Sequence, residues 1–312
     1  TFSSAGGNLV INGTSVNSTG LSLGLNGVWG TTWNVSGNVS LTGQSTSNTG
    51  LAWSVYNNLM STGINVAAGG ALALNGTSLN GTGVNLANVS SITNLGLGNL
   101  TISGNSQNGT GVITGMANSN QTFSSAGGNL VINGTSVNST GLSLGLIGAW
   151  GTTWNVSGNV SLNGQSTSNT GLAWSVFNNP VSTGINVAAG GALALNGTSL
   201  NGTGVNLANM SSITNLGLGN LTISGNSQNG TGVITGTANS NQTFSSAGGN
   251  LVINGTSVNS TGLSLGLIGA WGTTWNVSGN VSLNGQSTSN TGLAWSVFNN
   301  PASSGINVAA GG

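Results

Sequence analysis

The sequence predicts an all-β fold: a right-handed parallel β-helix with three short strands in each coil of about 30 residues. Three observations predict it. The chain repeats at the 20–50 residue period of solenoids, in which one unit is too small to bury its own apolar face. Inside each unit the apolar residues recur every second position, the period of a half-buried strand. Gly and β-branched residues are abundant, which opposes helices throughout.

The repeat has two levels. The segment TFSSAGGNLVINGTSVNSTGLSLGL begins at Thr1 and returns at Thr122 and Thr243, so the long period is 121 residues. This divides residues 1–312 into repeats 1–121, 122–242 and a partial 243–312 within one continuous solenoid. An older period lies inside each copy. The segments starting at Asn8, Asn38, Ala71 and Asn99 align, with lengths of 30, 33, 28 and 30 residues. Ten coils then run from Asn8 to Gly312, with residues 1–7 closing an earlier one. At ~4.8 Å between strands the rod is roughly 48 Å long. The wind is right-handed by the strong rule for parallel crossovers.

The elements follow in order. The first strand points Leu9 and Ile11 inward, matched by Val39 and Leu41, Leu72 and Leu74, Leu100 and Ile102. A turn follows, marked by Gly13, Gly43, Gly76 and Gly104 and by Gly20, Gly50, Gly83 and Gly111. These glycines are expected where the backbone bends sharply or takes positive φ. Ser15, Ser45, Ser78 and Ser106 recur beside them, and their stacked hydroxyls are expected to hydrogen-bond along the rod. The second strand starts at Leu21, Leu51, Val84 and Val112, with Leu23, Trp53, Leu86 and Thr114 as its next inward residues. The third strand is expected at Trp33 and Val35, Ile64 and Val66, Leu95 and Leu97, Phe123 and Ser125.

Composition excludes whole classes of chemistry. The 312 residues include no Asp, Glu, Lys, Arg, His or Cys. Acid–base catalysis lacks its usual groups, and the many hydroxyls lack a base to activate them. An enzyme is not expected. No cofactor or metal is expected, since transition-metal ligands and calcium-binding carboxylates are missing. Nucleic acid is not an expected partner, because no cation meets its phosphates. The absence of Cys rules out a disulfide framework. No apolar run approaches the ~18 residues that span a bilayer. The chain starts and stops within a repeat, which reads as an excerpt of a longer protein.

The motifs GGNLVINGTS, GGALALNGTS, NLTISGNSQNGTGV and GTGVNL resemble the repeat regions of filamentous-haemagglutinin-like bacterial exoproteins. The resemblance covers the whole chain. It implies a β-helical stalk of a large adhesin, located extracellularly at the cell surface and exported through an outer-membrane secretion partner. The lack of charge departs from the family's usual pattern. It favours homotypic association, lateral or end to end, because a net charge near zero promotes contact between copies.

Eight substitutions separate the first two copies. Seven fall in the turn after the second strand: Asn26/Ile147, Val28/Ala149, Tyr56/Phe177, Leu59/Pro180, Met60/Val181, Val89/Met210 and Met116/Thr237. The eighth is Thr42/Asn163. A turn free in sequence and length is expected to be exposed. Relaxed constraint on a loop is the plainer explanation. As a contact face it would offer Trp29, Tyr56, Trp150, Phe177, Trp271 and Phe298, whose rings could stack on host or cell-surface glycans. Trp33 and Trp53 fall in inward columns and are assigned to the core. Each full copy carries ten N-x-S/T sequons, and Asn12, Asn34 and Asn99 are representative glycosylation candidates. Most of these arise from composition alone. Ice binding needs regular ranks of Thr, and the outward residues Ser22, Ala52, Asn85 and Ile113 are too mixed for it.

Overall fold

The structure, a computed structural model, describes residues 2–23, 33–53, 64–66, 70–87, 89, 91–115, 120–145, 151–174, 183–187, 191–208, 210, 212–236, 242–265 and 273–295. All regular structure in them is β. Among the described residues the strands form three parallel sheets of ten strands each, and successive coils add one strand to each sheet. The chain is a β-solenoid with about 30 residues per coil.

The first sheet is the most regular. Its strands are seven residues long and include Leu9–Ser15, Val39–Ser45, Leu72–Ser78 and Leu100–Ser106. They pair without a register shift, so Leu100 faces Leu72 on one side and Leu130 on the other. The second sheet holds the short strands Leu21–Leu23, Leu51–Trp53, Val84–Asn85 and Val112–Ile113 and their repeats. The third sheet holds Phe2–Ser4, Trp33–Val35, Ile64–Val66, Ser91–Asn94, Asn120–Ser125 and their repeats.

The inward columns make one core. Leu100, Ile102, Val112 and Phe123 are fully buried, as are their counterparts Leu130, Ile132, Leu142 and Trp154. The expected core role of the third-strand tryptophans holds at Trp154 and Trp275, both fully buried. Each meets the phenylalanine of the preceding coil edge to face, with centroids 6.0 Å apart for Phe123–Trp154 and Phe244–Trp275. That is a favoured aromatic geometry. Thr114 occupies its expected inward slot, fully buried.

Four expectations need correction. Leu95 and Leu97 do not belong to the third strand. The strand is Ser91–Asn94, and Ile92 and Asn94 register with Phe123 and Ser125. Leu95 and Leu97 are 51% and 78% exposed. The reason lies in Asn94, a buried polar residue in an inward slot. Its Nδ2 donates to Gly98 O at 2.8 Å and its Oδ1 accepts from Gly96 N at 3.1 Å, so it closes the corner that Leu95 and Leu97 occupy.

In the same sheet Trp33 pairs with Val66, and Trp154 with Val187, two residues away from the expected alignment. A slide of two keeps every side chain on its own face, so alternation alone does not fix it.

Gly13, Ser15 and their columns lie inside the first strand rather than in the turn after it. Their glycines are required by close approach, not by backbone sign. A Cβ on Gly104 would collide with the backbone of Gly111 in the same coil. One on Gly111 would collide with Thr135 and Gly141 of the next coil. Positive φ occurs among the described glycines at Gly115, Gly145 and Gly236.

The variable turn is also not wholly exposed. Val89 and Met210, one of its variable pairs, are fully buried. Their backbones fold back on the second-strand exit, with Val89 N donating to Leu86 O at 3.3 Å and Met210 N to Leu207 O at 3.2 Å.

Candidate functional site

Three polar arrays run along the rod, and they define what its surface can do. The innermost is a spine of serines at the end of the first-sheet strands. In each of the ten coils the serine Oγ accepts the N–H three residues on, as in Gly109 N to Ser106 Oγ at 2.8 Å and Ser139 N to Ser136 Oγ at 2.9 Å. From the second coil onward the same hydroxyl donates to a carbonyl of the preceding coil. Ser106 Oγ reaches Gly81 O at 2.6 Å, and Ser136 Oγ reaches Gly109 O at 2.8 Å. At this serine column the expected stacking is hydroxyl to backbone, and hydroxyls pair with each other between coils at Thr110–Ser139, 3.2 Å, and Thr231–Ser260, 3.4 Å. Such a network leaves no turn amide at this position unpaired, and a buried orphan would cost about 1–3 kcal/mol.

The second array is a ladder at the corner before the first sheet. Asn99 Oδ1 accepts from Asn129 N at 3.0 Å, and Asn129 Oδ1 from Asn159 N at 2.8 Å. The third lies on the outer face of the first sheet, where positions alternate outward around the glycine column. Asn163 Nδ2 donates to Asn133 Oδ1, and Asn196 Nδ2 to Asn163 Oδ1, both at 2.8 Å. This explains the one substitution outside the variable turn. Asn163 carries the amide that links Asn133 to Asn196, and Thr42 in the equivalent coil has none.

Shallow grooves lie between these asparagines and the next outward column. One is lined by Asn133, Thr135, Asn163, Gln165, Asn196 and Thr198, with similar grooves centred on Asn75–Asn105 and Asn196–Asn226. The lining is amide and hydroxyl side groups over the glycine column. It can offer neutral donors and acceptors at the coil spacing of ~4.8 Å. Beside this face runs an outer stripe that alternates coil by coil. Val16, Leu79, Val137, Leu200 and Val258 are exposed in odd coils, and Thr46, Gln107, Thr167, Gln228 and Thr288 replace them in even ones.

The six ring residues expected as a contact face (Trp29, Tyr56, Trp150, Phe177, Trp271 and Phe298) lie outside the described residues. The glycosylation candidates are described. Asn12 is exposed on a first-sheet strand, Asn34 on a third-sheet strand and Asn99 at the corner, where its Oδ1 holds Asn129 N. Sequence reasoning misses the two buried glutamines. Gln121 is fully buried, donating from Nε2 to Leu86 O and Val89 O and accepting at Oε1 from Gly115 N, all at 2.8 Å. Gln242 repeats the arrangement with Leu207, Met210 and Gly236. Gly115, at φ 118°, presents its N–H to this amide.

No protein-family model matches the sequence, and no curated protein or solved structure is found similar to it.

The electrostatics give a direct prediction. Tyr56 and the two termini apart, nothing in the sequence titrates. Stability depends on pH only through groups whose proton affinity differs between the folded and unfolded states. Urea midpoints should therefore stay nearly constant between about pH 4 and 9. A steep slope across that window would reveal an attached charged group.

Proposed function

We propose that the protein is a structural stalk or fibre segment of a secreted bacterial surface adhesin of the filamentous-haemagglutinin kind. One observation carries the reading: three parallel sheets of ten strands stack with the same serine and glycine columns at every step of the first sheet, and with asparagine columns at most of them. Such a rod adds length by repetition, and each coil leans on its neighbours. Its surface suits spacing and side-by-side packing better than bond making or breaking. The family resemblance supplies the rest of the reading, with the cell surface as location and an outer-membrane pore as the secretion partner.

A second reading, a binding module for neutral glycans, is favoured by the repeated amide and hydroxyl grooves on the first sheet. Glycan-array signal lost on Trp29→Ala would place binding on the variable turn. Signal kept in that variant but lost on Asn163→Ala would place it in the groove.

Association tests the leading reading. Uncharged rods should pack side by side through contacts that salt has nothing to screen. Light scattering of the purified protein should show the same growth in mass with concentration at low and high ionic strength. A monodisperse monomer at high concentration would defeat the fibre and leave a plain stalk. Association abolished by moderate salt would contradict the uncharged-surface mechanism.

A further inference from the structure

The sequence is rich in Asn–Gly steps, the dipeptide in which an asparagine most readily destroys itself. Seven lie within first-sheet strands, beginning at Asn12, Asn75, Asn133, Asn163, Asn196, Asn254 and Asn284. Four more lie in the turn after those strands, beginning at Asn80, Asn108, Asn201 and Asn229. The reaction is intramolecular. The glycine nitrogen loses its proton to hydroxide and attacks the asparagine Cγ. The bond between Cγ and Nδ2 breaks, ammonia leaves, and a five-membered succinimide forms. Water then opens the ring on either side, giving aspartate or isoaspartate. Gly is the most permissive successor because no Cβ shields its nitrogen.

The strand steps have both partners fixed. Five of their glycines sit in a parallel ladder paired on both sides, as Gly134 is between Gly104 and Gly164, and Gly13 and Gly285 lie in the end strands, paired on one side. The turn steps are exposed and lack that ladder, yet they are held in another way. Each glycine N–H donates to a spine serine: Gly81 to Ser78, Gly109 to Ser106 and Gly202 to Ser199 at 2.8 Å, and Gly230 to Ser227 at 2.9 Å. The electrophile is held separately. Asn108 Nδ2 donates to Asn80 Oδ1, and Asn138 Nδ2 donates to Asn108 Oδ1, both at 2.7 Å. Asn229 is held likewise between Asn201 and Asn259, at 2.8 Å on each side. Nucleophile and electrophile are therefore held by separate partners: each glycine N–H by the serine of its own coil, and the Asn108 and Asn229 amides by asparagines of the neighbouring coils.

We infer that Asn80, Asn108, Asn201 and Asn229 are latent succinimide-forming sites that the serine spine holds closed. While the rod is folded they are inert. Where a coil opens, each one converts a neutral amide into a carboxylate, and does so irreversibly. In a protein with no other charged side groups, that places like charges along one column, in two pairs whose members lie one coil apart. Local opening then leaves a permanent chemical record, since the reaction proceeds only from the opened state.

The 312-residue protein is incubated at mildly alkaline pH in buffer, in urea, and in buffer as Ser106→Ala. Elastase digestion and mass spectrometry then read aspartate plus isoaspartate at each turn site. The four sites in the native wild-type protein should react at least about tenfold more slowly than in urea, the factor that ~1.4 kcal/mol of opening free energy supplies. In Ser106→Ala, Asn108 should react several-fold faster than Asn229, whose own serine is intact. The substitution also distinguishes the Asn108 peptide from its near-identical twin. Equal native and urea rates at Asn108 would overturn the inference, and so would equal rates at Asn108 and Asn229 in the variant. If the variant loses its fold and all sites accelerate together, the native-to-urea ratio of the wild type decides alone.

Discussion

Gly111→Ala should break the rod at its fourth coil, lowering stability by about 3 kcal/mol or more. The added Cβ would enter the backbone of Thr135 and Gly141, and neither neighbour is a side group that can swing away. The ladder on both sides fixes those atoms, so the coils must part. In a solenoid, stability is a sum over neighbouring units, and one broken interface divides the array. Gly6→Ala is the control, because a Cβ there meets nothing within 4 Å. It should shift the urea midpoint by no more than the ~0.5 kcal/mol usual for surface changes. Equal midpoints for the two variants would mean that the close approach of Gly111 to Thr135 and Gly141 does not exist.

The second large effect is expected at Gln121. Replacing it by Leu keeps the bulk but removes one carboxamide that serves three backbone groups. Val89 O and Gly115 N lose their described partner, while Leu86 O keeps only the long bond from Val89 N. At about 1–3 kcal/mol for each of the two buried orphans, Gln121→Leu should cost about 2–6 kcal/mol. Gln121→Glu adds a pH signature absent from the wild type. Burial disfavours a carboxylate, so the folded pKa rises above the unfolded value of about 4.3. The folded state then holds its proton longer than the unfolded one. Stability should be greatest below that unfolded value and fall as pH rises towards the folded one. A flat urea midpoint for Gln121→Glu would place this residue in water instead of in the core.

The same two sites show where the sequence is legible. First strands are readable because their inward slots hold Leu, Val and Ile at spacing two, and second strands because each opens on an inward Leu or Val. Leu9 and Ile11 align with Leu100 and Ile102 without ambiguity. The serine column is readable too, although its bonding partners are not. Polar residues facing inward escape the pattern. Asn94 looks exposed by alternation with Leu95 and Leu97, and Gln121 by its polarity, since an amide in a β pattern ordinarily marks the solvent face. They are buried because each satisfies a bend of the backbone that no regular ladder covers. With Asn94 assigned outward, Leu95 and Leu97 present the cleaner alternation and attract the strand assignment. The 121-residue repeat does not help, because near-identity makes every residue recur, whether it is structural or neutral. Recurrent glycines suggest conformational freedom, whereas close approach is the constraint, and that depends on atoms distant in sequence.

A solenoid advances by one strand spacing per coil, so residues far apart in sequence stay close along one column. The absence of Cys makes this directly measurable by pairs of introduced spin labels. Thr77 and Thr198 are four coils apart on the outer face of the first sheet, and Thr14 and Thr256 are eight. Labels at Thr77→Cys and Thr198→Cys should lie ~19 Å apart, and those at Thr14→Cys and Thr256→Cys ~38 Å, at ~4.8 Å per coil. Two narrow distributions in a ratio of two, measured by pulsed electron resonance, are the predicted result. Broad distributions, or distances that do not double with coil number, would contradict the solenoid.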